Sequence, residues 1–328
     1  MLRLFGPDCP TEPVDPAKLG KIPKNILWID LLEPTPEEEA LAEKLVGTNI
    51  PTRDELAEIE PSSRLYATRH ATYMTMSVLH GVQAGQPGND PVGFILTDKY
   101  LISVRYIDPK PFVLFAEHIY AEPDLACDPR SLFVRLLDTI IDRLADEFQV
   151  TGNEIEAISR QIFCRPAQEK GRRRHQPELR LEALLMRIGR AQQLLAQLRE
   201  SSVSATRLLT FLASTDALVE DEPNRRHTGS LIADAQALND HSNFLGDNLV
   251  FLLDANLGFI TLEQNFVMKV FSIFAVVFMP PTLIAGVYGM NFEHIPELKW
   301  LLGYPYALGL ILLSAVVPFW IARRKGWL

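Results

Sequence analysis

The polar and apolar positions of the chain fall into zones with different periods. Near the C-terminus, residues 270–292 and 300–322 each run 23 positions without an Asp, Glu, Lys or Arg. A bilayer core needs about 20 such residues, so two membrane spans are predicted. They are joined by the polar stretch "YGMNFEHIPELKW" at 288–300. Upstream, Leu132, Leu136, Ile140, Leu144 and Phe148 stand four apart, which predicts a helix over about 131–164. A breaker, "RPAQEKGRRRHQPE", separates it from a second helical pattern at about 179–218. The pair reads as an antiparallel helical hairpin with a basic tip (Arg172, Arg173, Arg174), for which a solvated loop is the simplest reading. From about residue 231 to 288 no proline occurs until Pro280, which predicts one helix of nearly 60 residues. Such a helix is roughly 85 Å long at ~1.5 Å per residue, so half of it lies outside any bilayer.

The first 130 residues have a shorter period. "ILWIDL" (26–31) and "VGFILTDKYLISVRYI" (92–107) have strand character, the latter broken by a turn at Asp98-Lys99, and "SRLYATRHATYMTMSVLHGV" (63–82) alternates like half-buried strands. Between them, "TPEEEALAEKLV" carries a helix-start signature: Thr35 as N-cap, Pro36 in the first turn and Glu38 three residues after the cap. The expected organisation is an α/β N-terminal domain (1–130), a helical hairpin and stalk helix (131–266), and a membrane domain (267–328). Within the last, the spans are expected at about 268–288 and 301–322, with an external loop at 289–300 and a basic tail.

Charge adds an orientation. Residues 1–266 carry 27 Lys/Arg against 39 Asp/Glu, and residues 267–328 carry five against two. Lys269 precedes the first span, and Arg323, Arg324 and Lys325 follow the second, so both ends are expected on the cytoplasmic side. Three scattered cysteines (Cys9, Cys127, Cys164) fit a reducing compartment better than a disulfide framework. "MLRLFGPDCP" is too short and too soon broken by proline to read as a signal peptide. The acidic balance argues against nucleic acid as a partner and suits cations. No phosphate loop, nucleophile elbow or metal-ligand spacing supports an enzyme, and His70 and His80 read as solvated or core histidines.

Counting in sevens along the long helix gives Asp240, Asp247, Asp254, Thr261, Met268, Ala275 and Thr282. Four further on lie Phe244, Phe251, Gly258, Asn265, Ser272, Met279 and Gly286. This 4-then-3 seam is the repeat of a helix that meets copies of itself. Small residues at such a seam also serve plain helix packing. Asn265 at the start of the span and the carboxylates above it favour a water-filled path, because polar groups in a membrane are costly unless paired or hydrated. One hairpin of two spans is too small to enclose a path, so a symmetric homo-oligomer is required. Pro280-Pro281 interrupts the helical hydrogen bonds within the first span, either as a hinge or as fixed shaping.

"YGMNFEHIPELKW", preceded by "FMPPTLIAGV" and followed by "GYP", closely resembles the CorA family of magnesium channels. A bare Gly-Met-Asn is a weak signal. Its place at the outer end of the first of two C-terminal spans, with a "PEL" loop and a basic tail ending "RRKGWL", is a specific one. "WIDLLEP" and "GFITLEQNFVMKVFSIFAVVFMPPT" extend the resemblance to the proteobacterial branch over essentially the full length.

The resemblance implies a homopentameric inner-membrane channel for Mg2+, with Co2+ and Ni2+ also carried, whose first spans ring a pore below a cytoplasmic funnel. It implies that Gly289, Met290 and Asn291 form the outer mouth, with Tyr288 supporting the loop. Asn265, Met279 and Thr282 match pore positions, and the hydrophobic constriction falls on Phe271, one residue off the seam. It further implies regulatory Mg2+ at intersubunit carboxylates, with Asp247 and Asp254 as the stalk positions. No organic cofactor is implied. Glu293 and Glu297 are placed to raise the local cation concentration, or simply to keep the turn solvated. Two other readings stand beside this one: a zinc transporter of the same superfamily, and a non-transporting membrane-anchored cation sensor.

Overall fold

The computed structural model describes residues 1–6, 9, 13–15, 23, 25–58, 60–121, 128–164, 177–215, 221–290 and 300–325. Six strands form one sheet: β1 (Leu2–Phe5), β2 (Trp28–Leu32), β3 (Leu65–Ala67), β4 (Thr72–His80), β5 (Gly88–Leu96) and β6 (Leu101–Arg105). Their spatial order is β1-β2-β6-β5-β4-β3. Only the β2–β6 pair is parallel; the other neighbours are antiparallel.

Eight helices accompany the sheet among the described residues. Four are short: α1 (Pro36–Val46), α2 (Arg53–Leu56), α3 (Pro61–Arg64) and α4 (Lys110–Ala121). Four are long: α5 (Pro129–Phe163), α6 (Pro177–Ser214), α7 (Glu222–Tyr288) and α8 (Gly303–Arg324). α1 starts as its sequence dictates, with Thr35 Oγ1 and the Glu38 carboxylate exchanging hydrogen bonds with each other's backbone amides.

The central strands are apolar on both sides, so both faces of the sheet must be covered. Ile29, Leu31, Ile95, Ile102 and Val104 pack with Leu2, Leu4, Ala42 and Leu56 on the α1 side. The opposite face is aromatic: Trp28 stacks on Phe5 at 4.2 Å and tilts against Phe115 at 5.6 Å, while Phe94 meets Phe112 and Phe133. Those contacts dock α4 and α5. On the same face Trp28 Nε1 donates to Ser103 Oγ, which donates to Asp30, and Asp30 receives the buried Arg105 guanidinium.

α6 docks on the outer edge of β4, beyond Thr72–Met74 where its pairing with β3 stops. Ser201 Oγ donates to the Ser77 carbonyl at 3.0 Å, and the Ser77 amide donates to Ser204 Oγ at 2.9 Å. Asn89 Nδ2 adds a bond to the Gln197 carbonyl. α5 and α7 are tied by His227–Asp138 and by Asn224–Ser131, and α6 and α7 by Ser202 Oγ to the Ala235 carbonyl.

The chain divides into two compact units, one comprising Met1–Arg172 and Ala183–Leu253, the other Arg173–Glu182 and Asp254–Leu328. The long helix predicted from about 231 begins earlier, at Glu222. The basic tip Arg172, Arg173, Arg174 and Cys127 lie outside the described residues; Cys9 is partly buried and Cys164 exposed.

Candidate ion pathway

In the first unit α7 has two sharply different faces. Leu231, Ala235, Ser242, Leu245, Leu249 and Leu252 are buried against the neighbouring helices. The heptad seam lies on the other side: Asp240, Asp247, Phe244 and Phe251 are all exposed. Phe244 is 64 % exposed and Phe251 58 %, a large apolar area for a helix surface with charged neighbours. Phe251 has one aromatic partner, Phe163 at 5.8 Å, and Phe244 stacks on His241 at 6.3 Å. Asp247 borders a groove that also holds Arg64, Arg199 and Arg207. Along the adjoining helix, Asp142 is held above the usual aspartate range, first by burial and then by the charges of Asp138, Asp146 and Asp234.

In the second unit α7 continues from Asp254 to Tyr288, with no residue of its apolar window buried within the chain. Asp254 and Asn265 are exposed on it, as are Phe271 (66 %), Met279 (69 %) and Thr282. The three seam hydroxyls share one geometry. Thr261 Oγ1 donates to the Leu257 carbonyl at 2.9 Å, Ser272 Oγ to Met268 at 2.8 Å and Thr282 Oγ1 to Phe278 at 2.7 Å. Each closes back four residues along its own helix.

Pro280 and Pro281 lie inside α7 and supply no amide, so the carbonyls of Val276 and Val277 lose their helical donors. The helix ends beyond Tyr288, where the Gly289 amide donates to the Ala285 carbonyl at 2.9 Å and Met290 to Val287 at 3.3 Å. A Cβ on Gly289 would stand 3.0 Å from the Ala285 oxygen, tighter than most such contacts, so that carbonyl would have to give by a few tenths of an ångström. Asn291, Glu293 and Glu297 lie outside the described residues. α8 is long and apolar enough to cross a membrane, opens beside a Trp300–Tyr306 ring pair, and closes with Arg324 over the Trp320 ring at 5.1 Å. Such aromatic and basic residues suit the interfaces of a bilayer.

Among the described residues no three His, Cys, Asp or Glu side chains converge to hold a metal ion. Neither Asp247 nor Asp254 belongs to such a cluster among those residues. Three features of this region escaped sequence reasoning: the arginine-lined groove, the Ser77–α6 joint and the buried Asp30–Arg105 pair. Only the first left a trace in sequence, as the helical spacing of Gln192, Ala196, Arg199, Val203 and Arg207.

A family model described as "CorA-like Mg2+ transporter protein" matches residues 23–324. A protein of Pasteurella multocida named "Magnesium transport protein CorA" is 29 % identical over 322 residues, covering 96 % of this chain and 98 % of its own. A protein of the same name from Escherichia coli K12 is 31 % identical over 304 residues, covering 93 % of this chain and 92 % of its own. The fold matches the complete structure of the CorA magnesium transporter from Methanocaldococcus jannaschii with a TM-score of 0.76, at 18 % identity and 94 % and 93 % coverage.

Proposed function

The chain belongs to the CorA family of Mg2+ transport proteins, and from that premise we propose how it carries its ion. It is a transporter rather than an enzyme, and its two apolar C-terminal helices make it a membrane protein. In our reading five copies assemble in the inner membrane with both termini in the cytoplasm, as Lys269 and Arg323–Lys325 direct. The α7 helices of the five copies then ring the path.

The observation that carries this reading is the seam on α7. Exposed carboxylates and phenylalanines occupy it in the first unit, and exposed Asn265, Ser272, Met279, Thr282 and Gly286 occupy it within the apolar zone. A ring of such faces joins the phenylalanines into a common apolar contact and gives the weakly polar side chains a hydrated centre. Mg2+ prefers six oxygen ligands at ~2.1 Å and releases water reluctantly. Amide, hydroxyl and carbonyl oxygens suit its hydrated form, since they hydrogen-bond its water shell without holding the ion as carboxylates do. Tyr288, Gly289, Met290 and Asn291 form the outer mouth, Phe271 the constriction, and Glu293 and Glu297 attract cations to the mouth. Co2+ and Ni2+, of similar charge and size, pass by the same route.

Regulation in this reading draws ligands from more than one chain, since neither Asp247 nor Asp254 belongs to a three-ligand cluster among the described residues. Bound cytoplasmic Mg2+ would neutralise like charges between neighbouring stalks and favour the closed assembly. The test is Mg2+ uptake into proteoliposomes, comparing the native chain with Asn291→Ala and with Mg2+ inside. Uptake abolished by the substitution and slowed by internal Mg2+ is expected. Uptake that survives Asn291→Ala removes the mouth assignment, and Zn2+ flux without Mg2+ flux removes the magnesium assignment.

A further inference from the structure

In the apolar zone α7 and α8 each keep one face from solvent. From Phe271 to Tyr288 the seam positions of α7 are exposed, whereas Ile273, Val277, Pro280, Pro281, Ile284 and Tyr288 are half-buried. These recur every three or four positions, so they form one stripe, on the side opposite the seam. α8 carries a matching stripe: Gly303 and Ala322 are buried, and Ala307, Leu310, Ser314 and Pro318 between them are half-buried. The other described stretch of the second unit, 177–182, lies far from here. Its Leu181 carbonyl accepts from Asn256 Nδ2, and Asn256 precedes Val277 by 21 positions, ~30 Å along the helix. Among the described residues, then, α7 and α8 cover each other's stripes.

Both stripes contain a proline break. Pro280 and Pro281 lie inside α7, and Pro318 lies inside α8. The Val277 carbonyl loses its α-helical donor at 281 and also the shorter 3₁₀ alternative at 280. Val276 keeps the Met279 amide within that shorter reach. In α8, Pro318 removes the donor of the Ser314 carbonyl. A helical carbonyl lies close to the azimuth of its own residue, and successive residues are ~100° apart. The Val277 and Ser314 carbonyls therefore lie on the two facing stripes, while that of Val276 is turned aside. Val277 is eleven residues from the outer end of α7, and Ser314 eleven from that of α8. Both thus stand ~16 Å deep, near the middle of a ~30 Å core. The Ser314 hydroxyl supplies no donor between the helices, because Oγ donates to the Ile311 carbonyl at 2.8 Å. Acceptors face acceptors where an unpaired carbonyl is most costly.

We propose that the two proline breaks form a water-binding site between α7 and α8 at mid-bilayer, with the Val277 and Ser314 carbonyls and Ser314 Oγ as its acceptors. Water is the ligand because the site lacks donors and one water supplies two. It lets α7 bend against α8 without baring a carbonyl to lipid. The site lies opposite the seam and is read by hydration rather than flux, so it is tested separately from the proposed ion path.

The experiment measures water contact at residue 314 in the reconstituted full-length protein with Cys9, Cys127 and Cys164 replaced by serine. Methyl methanethiosulfonate is small and lipid-soluble, but it reacts only with a thiolate, which forms where water reaches the sulfur. Ser314→Cys is expected to react about tenfold faster than Leu312→Cys, the factor for one unit of thiol pKa. Leu312 is 69 % exposed and lies off the stripe. Val277→Cys reports on the same site from α7 and is expected to react as Ser314→Cys does. Pro281→Ala returns an amide to Val277 and Pro318→Ala returns one to Ser314. Each is expected to slow Ser314→Cys, and the two together to bring it to the Leu312→Cys rate. Pro280→Ala, whose amide serves Val276, is expected to slow it least. Unchanged size-exclusion profiles show that the variants keep their fold. Equally slow reaction at 277, 312 and 314 means a dry contact and overturns the proposal. So does a Ser314→Cys rate indifferent to both Pro281→Ala and Pro318→Ala. Equally fast reaction at 312 and 314 also overturns it, by placing α8 in water, an outcome distinct from a dry span.

Discussion

Arg105 grips Asp30 with two hydrogen bonds, Nε to Oδ1 at 2.9 Å and Nη2 to Oδ2 at 2.8 Å, with the two side chains only 1 % and 2 % exposed. The pair joins β2 to β6, the one parallel contact in the sheet. Burial pushes the Arg105 pKa down, but the hydrogen bonds and charge of Asp30, aided by Asp108, outweigh it and the guanidinium is held above its ordinary value. Asp30→Ala leaves that buried cation with only the half-exposed Asp108 as its counter-charge. A loss of about 3–5 kcal/mol is expected, as for other broken buried pairs. Thermal unfolding of the purified protein, followed by tryptophan fluorescence, measures it. Asp30→Leu combined with Arg105→Met is expected to lose much less, and equal losses would refute the role of the stranded charge.

Thr282 keeps its hydroxyl on the seam while bonding to Phe278. Thr282→Val keeps the shape and replaces that oxygen by a methyl group. Mg2+ influx into proteoliposomes is expected to fall about fivefold, the factor that corresponds to one net hydrogen bond of about 1 kcal/mol. Thr282→Ser is expected to retain most of the flux. Equal rates for the Val and Ser variants would place Thr282 off the path.

Asp254 is exposed on α7 with no partner among the described residues. In the proposed gating, Asp254→Asn removes one charge per subunit from the repulsion that internal Mg2+ relieves. The internal Mg2+ concentration needed for half inhibition is expected to shift, with the rate in the absence of internal Mg2+ largely kept. A dose–response measured in liposomes of graded internal Mg2+ checks this, and an unmoved midpoint would remove Asp254 from the sensor.

Asp142 has a raised pKa, so the folded chain binds its proton more tightly than the unfolded chain does. Stability therefore falls as pH rises from the ordinary aspartate range through the raised folded value, and the whole penalty is present above it. Asp142→Asn is expected to melt at a higher temperature than the native protein at pH 7. The gap is expected to close as pH falls towards 4. A gap that stays constant over this range would mean that the carboxylate charge is not the cause.

Much of this architecture is legible in sequence wherever one local rule suffices. Thr35 and Glu38 cap α1 because a three-residue spacing fixes the geometry. The four-residue spacing of Leu132 to Phe148 marks the buried stripe of α5. The seam of α7 is visible because seven-residue repeats survive whatever the helix packs against. The start of α7 is hidden because "EDEPNRRH" looks like a breaker, whereas Pro223 sits in a first turn, where its fixed φ favours the helix. β1 is hidden because Leu2–Phe5 gains its strand form only from β2, over 20 residues away. The arginine groove is least legible of all, since α3, β4, α6 and α7 must come together before Arg64, Arg199 and Ser242 share a space.

The hydroxyl protons of Thr261, Ser272 and Thr282 are all committed to carbonyls of their own helix. What each presents outward is therefore an oxygen lone pair, an acceptor with nothing to donate. On the proposed pathway a cation's hydration shell would find acceptors at these three positions, while a chloride or phosphate ion would find no hydroxyl donor there. Neutral side chains would thereby favour cations without any fixed charge buried in the bilayer.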